Sequence, residues 1–241
     1  MRFGKIGNFV DGEFVESGSA HIDIMSPLDA AKIGEVPMSG VFELNEAVKA
    51  ARKAQPEWAS MTSKARSSVL YEYRRLLLEN RDDLAEINHT ENGKSMEEAY
   101  AGIDKAVELT EFACSIPQLV SGKNQEVSRG VTCQTERVPL GITAAVTPFN
   151  FPLMVPHWSV PNSIALGNAM ILKPSEITPV SASKMAELWK AAGLPDGIFN
   201  VVNGGREIVE AICDHPEIQA VSFVGSTAVA KSVYRRCAVN L

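Results

Sequence analysis

The chain has 241 residues, a formal net charge of −6, and is 45% hydrophobic and 22% charged. That is apolar enough to bury a core and too apolar for a disordered chain, and at roughly 150 residues per domain it makes one large domain or two small ones. The acidic balance, with an isoelectric point near 5.3, excludes a nucleic-acid binder, which needs a clustered positive surface: the densest basic stretch, Arg66 to Arg81, is interleaved with Glu72 and Glu79 and reads as a solvated helix face.

From Met1 to about Met38 the pattern is short strands and turns. Asp11-Gly12 between the apolar flanks Phe9-Val10 and Phe14 predicts a hairpin, and Ser26-Pro27 and Val36-Pro37 punctuate the rest. Helical spacing then runs from about Glu43 to Cys114. Pro56 is expected to mark a helix break or first turn, Thr62 or Ser63 to cap the next helix, and Asn92-Gly93 to separate two helices. Val127 to Val138 alternates Val and Thr with polar residues and predicts one or two exposed antiparallel strands. From Leu140 onward strand and helix alternate. The strands are Gly141–Val146, Met170–Leu172, Ile198–Val202 and Ala220–Val224. The helices are Pro156–Leu166, Val180–Ala192, Glu207–Cys213 and Thr227–Arg236. Apolar strands of this length between helices predict an α/β fold: a Rossmann-like parallel sheet covered on both faces, preceded by a helical segment and N-terminal strands. The expected organisation is residues 1–120 as strands and helices packed on the α/β domain, 121–138 as an exposed strand segment, and 139–241 as the α/β domain itself.

Cys114, Cys133, Cys213 and Cys237 lie far apart with no CxxC pair, which predicts reduced thiols and no disulfide framework. No export-like apolar core opens the chain and no run approaches the roughly 20 apolar residues of a membrane span, so the expectation is an intracellular protein without a membrane partner. The GxGxxG fingerprint is absent, because no two glycines are separated by one residue. Gly93-Lys94-Ser95 resembles the end of a phosphate loop, but Asn88 stands where its first glycine belongs, so it reads as a helix C-cap and turn. The four histidines are too dispersed to predict a metal site.

Three segments fall at predicted strand ends, where open parallel sheets place ligand chemistry. In Thr147-Pro148-Phe149-Asn150-Phe151-Pro152, Asn150 is either an oxyanion donor held dry by the flanking rings and prolines or the cap of the following helix. In Lys173-Pro174-Ser175-Glu176, the lysine and carboxylate either hold the two hydroxyls of a ribose or form a surface turn. A free carboxylate there would also repel a 2′-phosphate and favour NAD over NADP. In Phe223-Val224-Gly225-Ser226-Thr227, the helix start is either an anion site or a plain Ser/Thr cap.

TPFNFP, ILKPSE, GLPDGIFNVVNGG and VSFVGST, in that order, resemble the N-terminal half of the NAD(P)-dependent aldehyde dehydrogenase superfamily. PFNFP followed by Met154, Pro156 and Trp158, FAC at Phe112–Cys114, and CDHPEIQAVSFVGS from Cys213 are similar to the coenzyme A-acylating methylmalonate-semialdehyde dehydrogenases. The resemblance implies oxidation of a small-molecule semialdehyde through a cysteine thiohemiacetal, hydride transfer to NAD, and release of the acyl group to coenzyme A. It also implies a Rossmann variant without GxGxxG, a homo-oligomer (dimer or tetramer), and a cytoplasmic or mitochondrial-matrix location. Carried over residue by residue, it makes Asn150 the oxyanion donor and places Thr147 and Phe149 on the nicotinamide side. Lys173 and Glu176 fall on the adenosine ribose, Ile177 beside the adenine, and Ser226 at the pyrophosphate.

The chain departs from that pattern in three places. Ala230 stands where the wider family often has glycine, and Lys105-Ala106 where this branch has Arg-Gly. The family's GQxC nucleophile and its general-base glutamate lie beyond VSFVGST and have no counterpart before Leu241. The expectation is a cofactor-binding half that is inactive alone. Alternatives are a non-acylating, succinate-semialdehyde type of dehydrogenase and a non-catalytic nucleotide-binding or interaction protein.

Overall fold

A computed structural model describes residues 1–17 and 20–240. The chain opens with β1 (Gly4–Lys5), β2 (Asn8–Val10), β3 (Glu13–Val15), β4 (His21–Met25) and β5 (Lys32–Pro37), followed by α1 (Val41–Ser60), α2 (Ser63–Glu79), α3 (Arg81–Asn92), α4 (Met96–Cys114) and the single turn α5 (Ile116–Leu119). An exposed hairpin, β6 (Lys123–Ser128) and β7 (Val131–Thr135), leads into β8 (Ile142–Val146), α6 (Val160–Ala165), β9 (Ala169–Lys173), α7 (Val180–Ala191), β10 (Phe199–Val201), α8 (Arg206–Asp214), β11 (Ile218–Phe223) and α9 (Thr227–Cys237).

The main sheet runs β11-β8-β9-β10-β2-β3, parallel from β11 to β10 and then antiparallel through the β2–β3 hairpin. That hairpin is the one its Asp-Gly pair predicts: Asp11 and Gly12 both have positive φ, 50° and 82°, as a tight two-residue turn requires. Chain order fixes where the helices lie. The steps β8 to β9 to β10 advance in one direction, so right-handed crossovers place α6 and α7 on one face, where α2 and α4 back α6 and α2 and α3 back α7. The step from β10 to β11 returns past β8, which puts α8 on the other face beside α1. The order in which strands are added to the sheet therefore reverses between β8 and β11.

β8 and β9 are buried at every residue, as continuous apolar runs covered on both faces must be. β11 departs from that expectation. It is the sheet edge and is only partly buried, because no strand pairs on its far side among the described residues. Two local expectations are also corrected. Pro56 does not break α1. The proline removes the donor to the Arg52 carbonyl, but Arg52 is exposed and water can satisfy that oxygen, so the helix continues for one more turn. Pro156 to Leu166 is not one helix but a 3-10 turn at Pro156–Trp158 followed by α6. Thr62 does cap α2, its hydroxyl accepting from the Ala65 N–H at 3.2 Å. Gly93 ends α3 with φ 78°, and Ser95 with Glu98 makes a capping box for α4.

A buried carboxylate joins the two helical layers. Glu91, 1% exposed at the end of α3, accepts from the Val180 N–H at 2.8 Å and the Ser181 N–H at 3.0 Å, and from the Ser181 hydroxyl. It thereby satisfies the first amides of α7. Burial pushes its carboxyl up to about 7 despite those three donors. The unfolded chain ionises Glu91 near the ordinary 4.5. This group therefore stabilises the fold fully below that value, and its contribution falls as pH rises through 7, by on the order of a few kcal/mol. Glu91→Gln is expected to remove that dependence. In denaturant melts from about pH 5 to about pH 8, the native chain should lose stability relative to the variant, and parallel curves would refute the assignment.

Candidate functional site

The register of the parallel strands sets the site. Val146 is paired with Phe223 on one side and Lys173 on the other, so β11, β8 and β9 end at one level. The next residues stay tied to the sheet: the Thr147 N–H donates to the Lys173 carbonyl and the Val224 N–H to the Val146 carbonyl, both at 3.1 Å. Beyond these ends, at the reversal between β8 and β11, opens a cavity of about 500 Å³. In open α/β sheets this is the crevice where ligands bind.

Four of the residues singled out in the sequence line it: Thr147, Lys173, Glu176 and Ser226. Lys173 is buried, with a side chain 6% exposed, and its ammonium donates to Glu176 Oε2 at 3.0 Å. Burial alone would push the Glu176 carboxyl up. The neighbouring Lys173 charge, a backbone amide and the lysine hydrogen bond together outweigh it and leave the carboxyl below its ordinary value. The pair thus presents an ionised carboxylate and an ammonium at the cavity wall. Opposite them, Ser226 caps α9, its hydroxyl accepting from the Val229 N–H at 3.5 Å. The cap leaves the remaining first-turn amides of α9 facing outward at the positive end of the helix dipole. Gly225, just before, is needed for close approach: a Cβ there would sit 2.6 Å from the Phe223 ring.

Phe149, Asn150 and Ile177 do not line this cavity. Phe149 is 53% exposed, as is Ile177, and Asn150 is exposed as well. The dry pocket expected around Asn150 is therefore not formed by this chain, because the rings meant to exclude water face solvent themselves. Nor does Asn150 cap a helix: turns and the 3-10 segment follow it, and no helix begins there. What holds the loop is main-chain anchoring. The Asn92 amide donates to the Phe149 carbonyl and the Lys94 ammonium to the Asn150 carbonyl, both at 2.7 Å. The same ammonium lies 4.3 Å from the Phe151 ring centre. Downstream, His157 is fully buried and held neutral, pushed down to about 4 by burial. Its Nδ1 donates to the Leu153 carbonyl at 2.7 Å, which leaves Nε2 to accept from the Tyr73 hydroxyl at 2.9 Å.

Sequence reasoning missed the α8 side of the cavity, where Gly205, Arg206, Val209, Glu210 and Cys213 stand beside Arg236 of α9. The cavity lining carries three cations, Lys173, Arg206 and Arg236, each paired with a carboxylate: Glu176, Glu210 and Asp214 respectively. The one available signal was the position of Gly204-Gly205 at a strand-to-helix junction. Among the described residues no His/Cys/Asp/Glu cluster could hold a metal, and no helix is long and apolar enough to cross a membrane.

A doubly wound sheet with a cavity at its point of reversal is the arrangement in which open α/β proteins bind ligands. The aldehyde dehydrogenase family model matches residues 14–241, and the chain belongs to that family. It is 42% identical over 235 residues to malonate-semialdehyde dehydrogenase 2 of Bacillus mycoides strain KBAB4, covering 97% of this chain and 49% of that protein. Among solved structures it is similar to a chain assigned as a methylmalonate-semialdehyde dehydrogenase, from Sinorhizobium meliloti 1021 and complexed with NAD (41% identity, TM-score 0.97, all of this chain and 49% of that one). It is also similar to the methylmalonate-semialdehyde dehydrogenase DddC of Oceanimonas doudoroffii (34% identity, TM-score 0.97, again 49% of that chain). The chain spans about half the length of these relatives.

The Lys94 anchor yields a test. Lys94→Met keeps the stem and removes one charged hydrogen bond, worth about 1.5 kcal/mol or more, so amide exchange across 149–153 should accelerate by roughly tenfold or more. Amides of β9 should be unchanged when the same sample is followed by mass spectrometry. Unaltered exchange in the loop would assign its order to the prolines instead.

Proposed function

We propose that this chain is the NAD-binding part of a semialdehyde dehydrogenase of the coenzyme A-acylating, malonate or methylmalonate type. The observation that carries the reading is the cavity at the β8–β11 reversal, which unites Thr147, the Lys173–Glu176 pair and the Ser226 cap. Lys173 and Glu176 would hold the adenosine ribose, the ammonium donating and the ionised carboxylate accepting from its hydroxyls. Ser226 and the amides opening α9 would take the pyrophosphate, with Ile177 beside the adenine and Thr147 and Phe149 toward the nicotinamide. The residues fit such a group: the cavity sets a capped helix start opposite an ammonium–carboxylate pair, and its buried lysine already has a carboxylate partner, so nucleotide binding leaves no charge unpaired. When bound, the dinucleotide supplies a hydride acceptor.

Asn150 would be the donor to the oxyanion formed as a thiol adds to the aldehyde. That role needs a dry environment, and here the residue is exposed, so the cover would come from outside these 241 residues. No cysteine on this chain fits the nucleophile. Cys133 lies on the exposed hairpin and Cys114 is buried at the end of α4. Cys213 reaches the cavity, but burial pushes its thiol up to about 12. We therefore assign this chain binding without turnover, and acyl transfer to coenzyme A to the complete enzyme. The fully exposed β6–β7 hairpin is the segment offered for contact in a homo-oligomer, and a cytoplasmic or matrix setting suits the free thiols.

Calorimetric titration with NAD should show saturable binding, with no NADH formed when malonate semialdehyde and coenzyme A are added. Lys173→Met should weaken binding about tenfold, the equivalent of one hydrogen bond to a charged group. Glu176→Gln should narrow the preference for NAD over NADP by a similar factor as the repulsion of the 2′-phosphate is lost. A folded chain that binds neither nucleotide, or a lysine variant that binds NAD as well as the parent, would overturn the ribose assignment.

A further inference from the structure

Outside the residues given a role above, the contact between α8 and α9 carries two thiols. Cys213 lies on the last turn of α8 and is buried, while Cys237 ends α9 and is half-buried. The two thiols stand near enough to interact. Both also line a second cleft of about 310 Å³, together with His215 and Gln219. Their sequence neighbours lock the helix turns face to face. Arg236, next to Cys237, makes a two-pronged pair with Asp214, next to Cys213, with Nε to Oδ1 at 3.0 Å and Nη2 to Oδ2 at 2.6 Å. A third contact runs from Arg236 to Glu210 at 3.5 Å. A planar guanidinium–carboxylate fork of this kind fixes distance and rotation together, so the two sulfurs are held close by groups other than themselves.

We propose that Cys213 and Cys237 form a modification site: an oxidant of the peroxide class converts them to a reversible intrachain disulfide that joins α8 to α9. Cys237, the solvent-accessible member, attacks the peroxide oxygen as its thiolate. The O–O bond breaks, Cys237 becomes a sulfenic acid, and hydroxide leaves and takes up the thiol proton as water. The Cys213 sulfur then attacks Cys237 Sγ and the S–O bond breaks. The hydroxyl departs as a second water with the Cys213 proton. In sum two thiols and one hydrogen peroxide give one disulfide and two waters. Burial makes Cys213 a poor first nucleophile, but as the resolving thiol it needs only proximity to a sulfur already activated. The bridge has a consequence for the nucleotide cavity, because Cys213 lines both spaces and α8 and α9 form two of the cavity's walls. Oxidation would fix the spacing of those walls.

The test uses the whole chain with Cys133→Ser, which removes the exposed thiol and leaves the pair and buried Cys114. After exposure to hydrogen peroxide and peptide mapping without reductant, the expected product is a linked 213–237 peptide and a chain lighter by two hydrogens. Its yield should be independent of protein concentration, fully reversed by dithiothreitol, and accompanied by a rise in Tm. Adding Cys213→Ser or Cys237→Ser should abolish it in samples that circular dichroism shows to be folded. Should either serine variant fail to fold, the mapping of the intact pair still decides. Oxidation of Cys237 to sulfinic acid beside a reduced Cys213, or linked peptides only between chains and rising with concentration, would overturn the proposal.

Discussion

The parallel register that sets Phe223, Val146 and Lys173 side by side determines where everything else in the site can stand. Three strand ends at one level make a shelf, and the reversal of strand order between β8 and β11 leaves a gap above it that no crossover helix fills. Each strand delivers a different chemistry to that gap: a threonine and a proline-rich loop from β8, an ammonium and carboxylate from β9, a glycine turn and helix start from β11. A slip of one residue in either pairing would flip β8 or β9, buried on both faces, without exposing a polar side. It would, however, carry Lys173 to the opposite face of the sheet and away from Glu176. The apolar runs of β8 and β9 thus tolerate a slip that the site does not. The hydrogen bonds from Thr147 to Lys173 and from Val224 to Val146 continue the correct pairing one residue past the strands.

The Lys173–Glu176 pair shows how that shelf is made compatible with charge. An ammonium buried to this degree without a partner would leave an uncompensated charge in the sheet. The carboxylate three residues later, at the mouth of the cavity and still a third exposed, supplies the counter-charge from solvent's side. Burial of Glu176 opposes its charge, and the neighbouring ammonium and hydrogen bonds outweigh that cost. The carboxylate also remains free to accept hydrogen bonds from a ligand. The same division recurs at α7, where Glu91 is buried completely and its carboxyl is pushed up instead of down. Two glutamates in one layer are thus set apart by whether a cation or only neutral donors face them.

Much of this was legible in the sequence, for identifiable reasons. The Asp11-Gly12 turn, the Thr62 cap, the Gly93 stop and the buried strands β8 and β9 are local signals that tertiary contacts did not override. The family was legible because four short motifs stand in order. Pro56 misled because a proline near a helix end, with its orphaned carbonyl at the surface, costs little that water cannot restore. The α8 side of the cavity was not legible, since Arg206 and Glu210 look like any helix-surface pair four residues apart, and only the topology brings them to the cavity. Gly93-Lys94-Ser95 was read as a turn, and it is one. Its second task, anchoring the Phe149 and Asn150 carbonyls with Asn92, spans more than fifty residues and has no local signature.

The distribution of burial separates two kinds of work within one chain. Residues that would grip the constant parts of a dinucleotide are finished here: the lysine is buried, its partner ionised and the helix cap made. The loop that would take part in chemistry is anchored through its backbone, while its side chains Phe149, Asn150 and Phe151 stand in solvent. Anchoring by carbonyls rather than side chains has a physical consequence. The loop keeps its course whether or not its rings are covered, so a surface laid over it would meet a preformed shape and would need to contribute only dryness. Electrostatic stabilisation of an oxyanion needs that exclusion of water as well as the donor itself. A half-length chain of this family can therefore hold a well-formed binding cavity and still lack the condition under which Asn150 could matter.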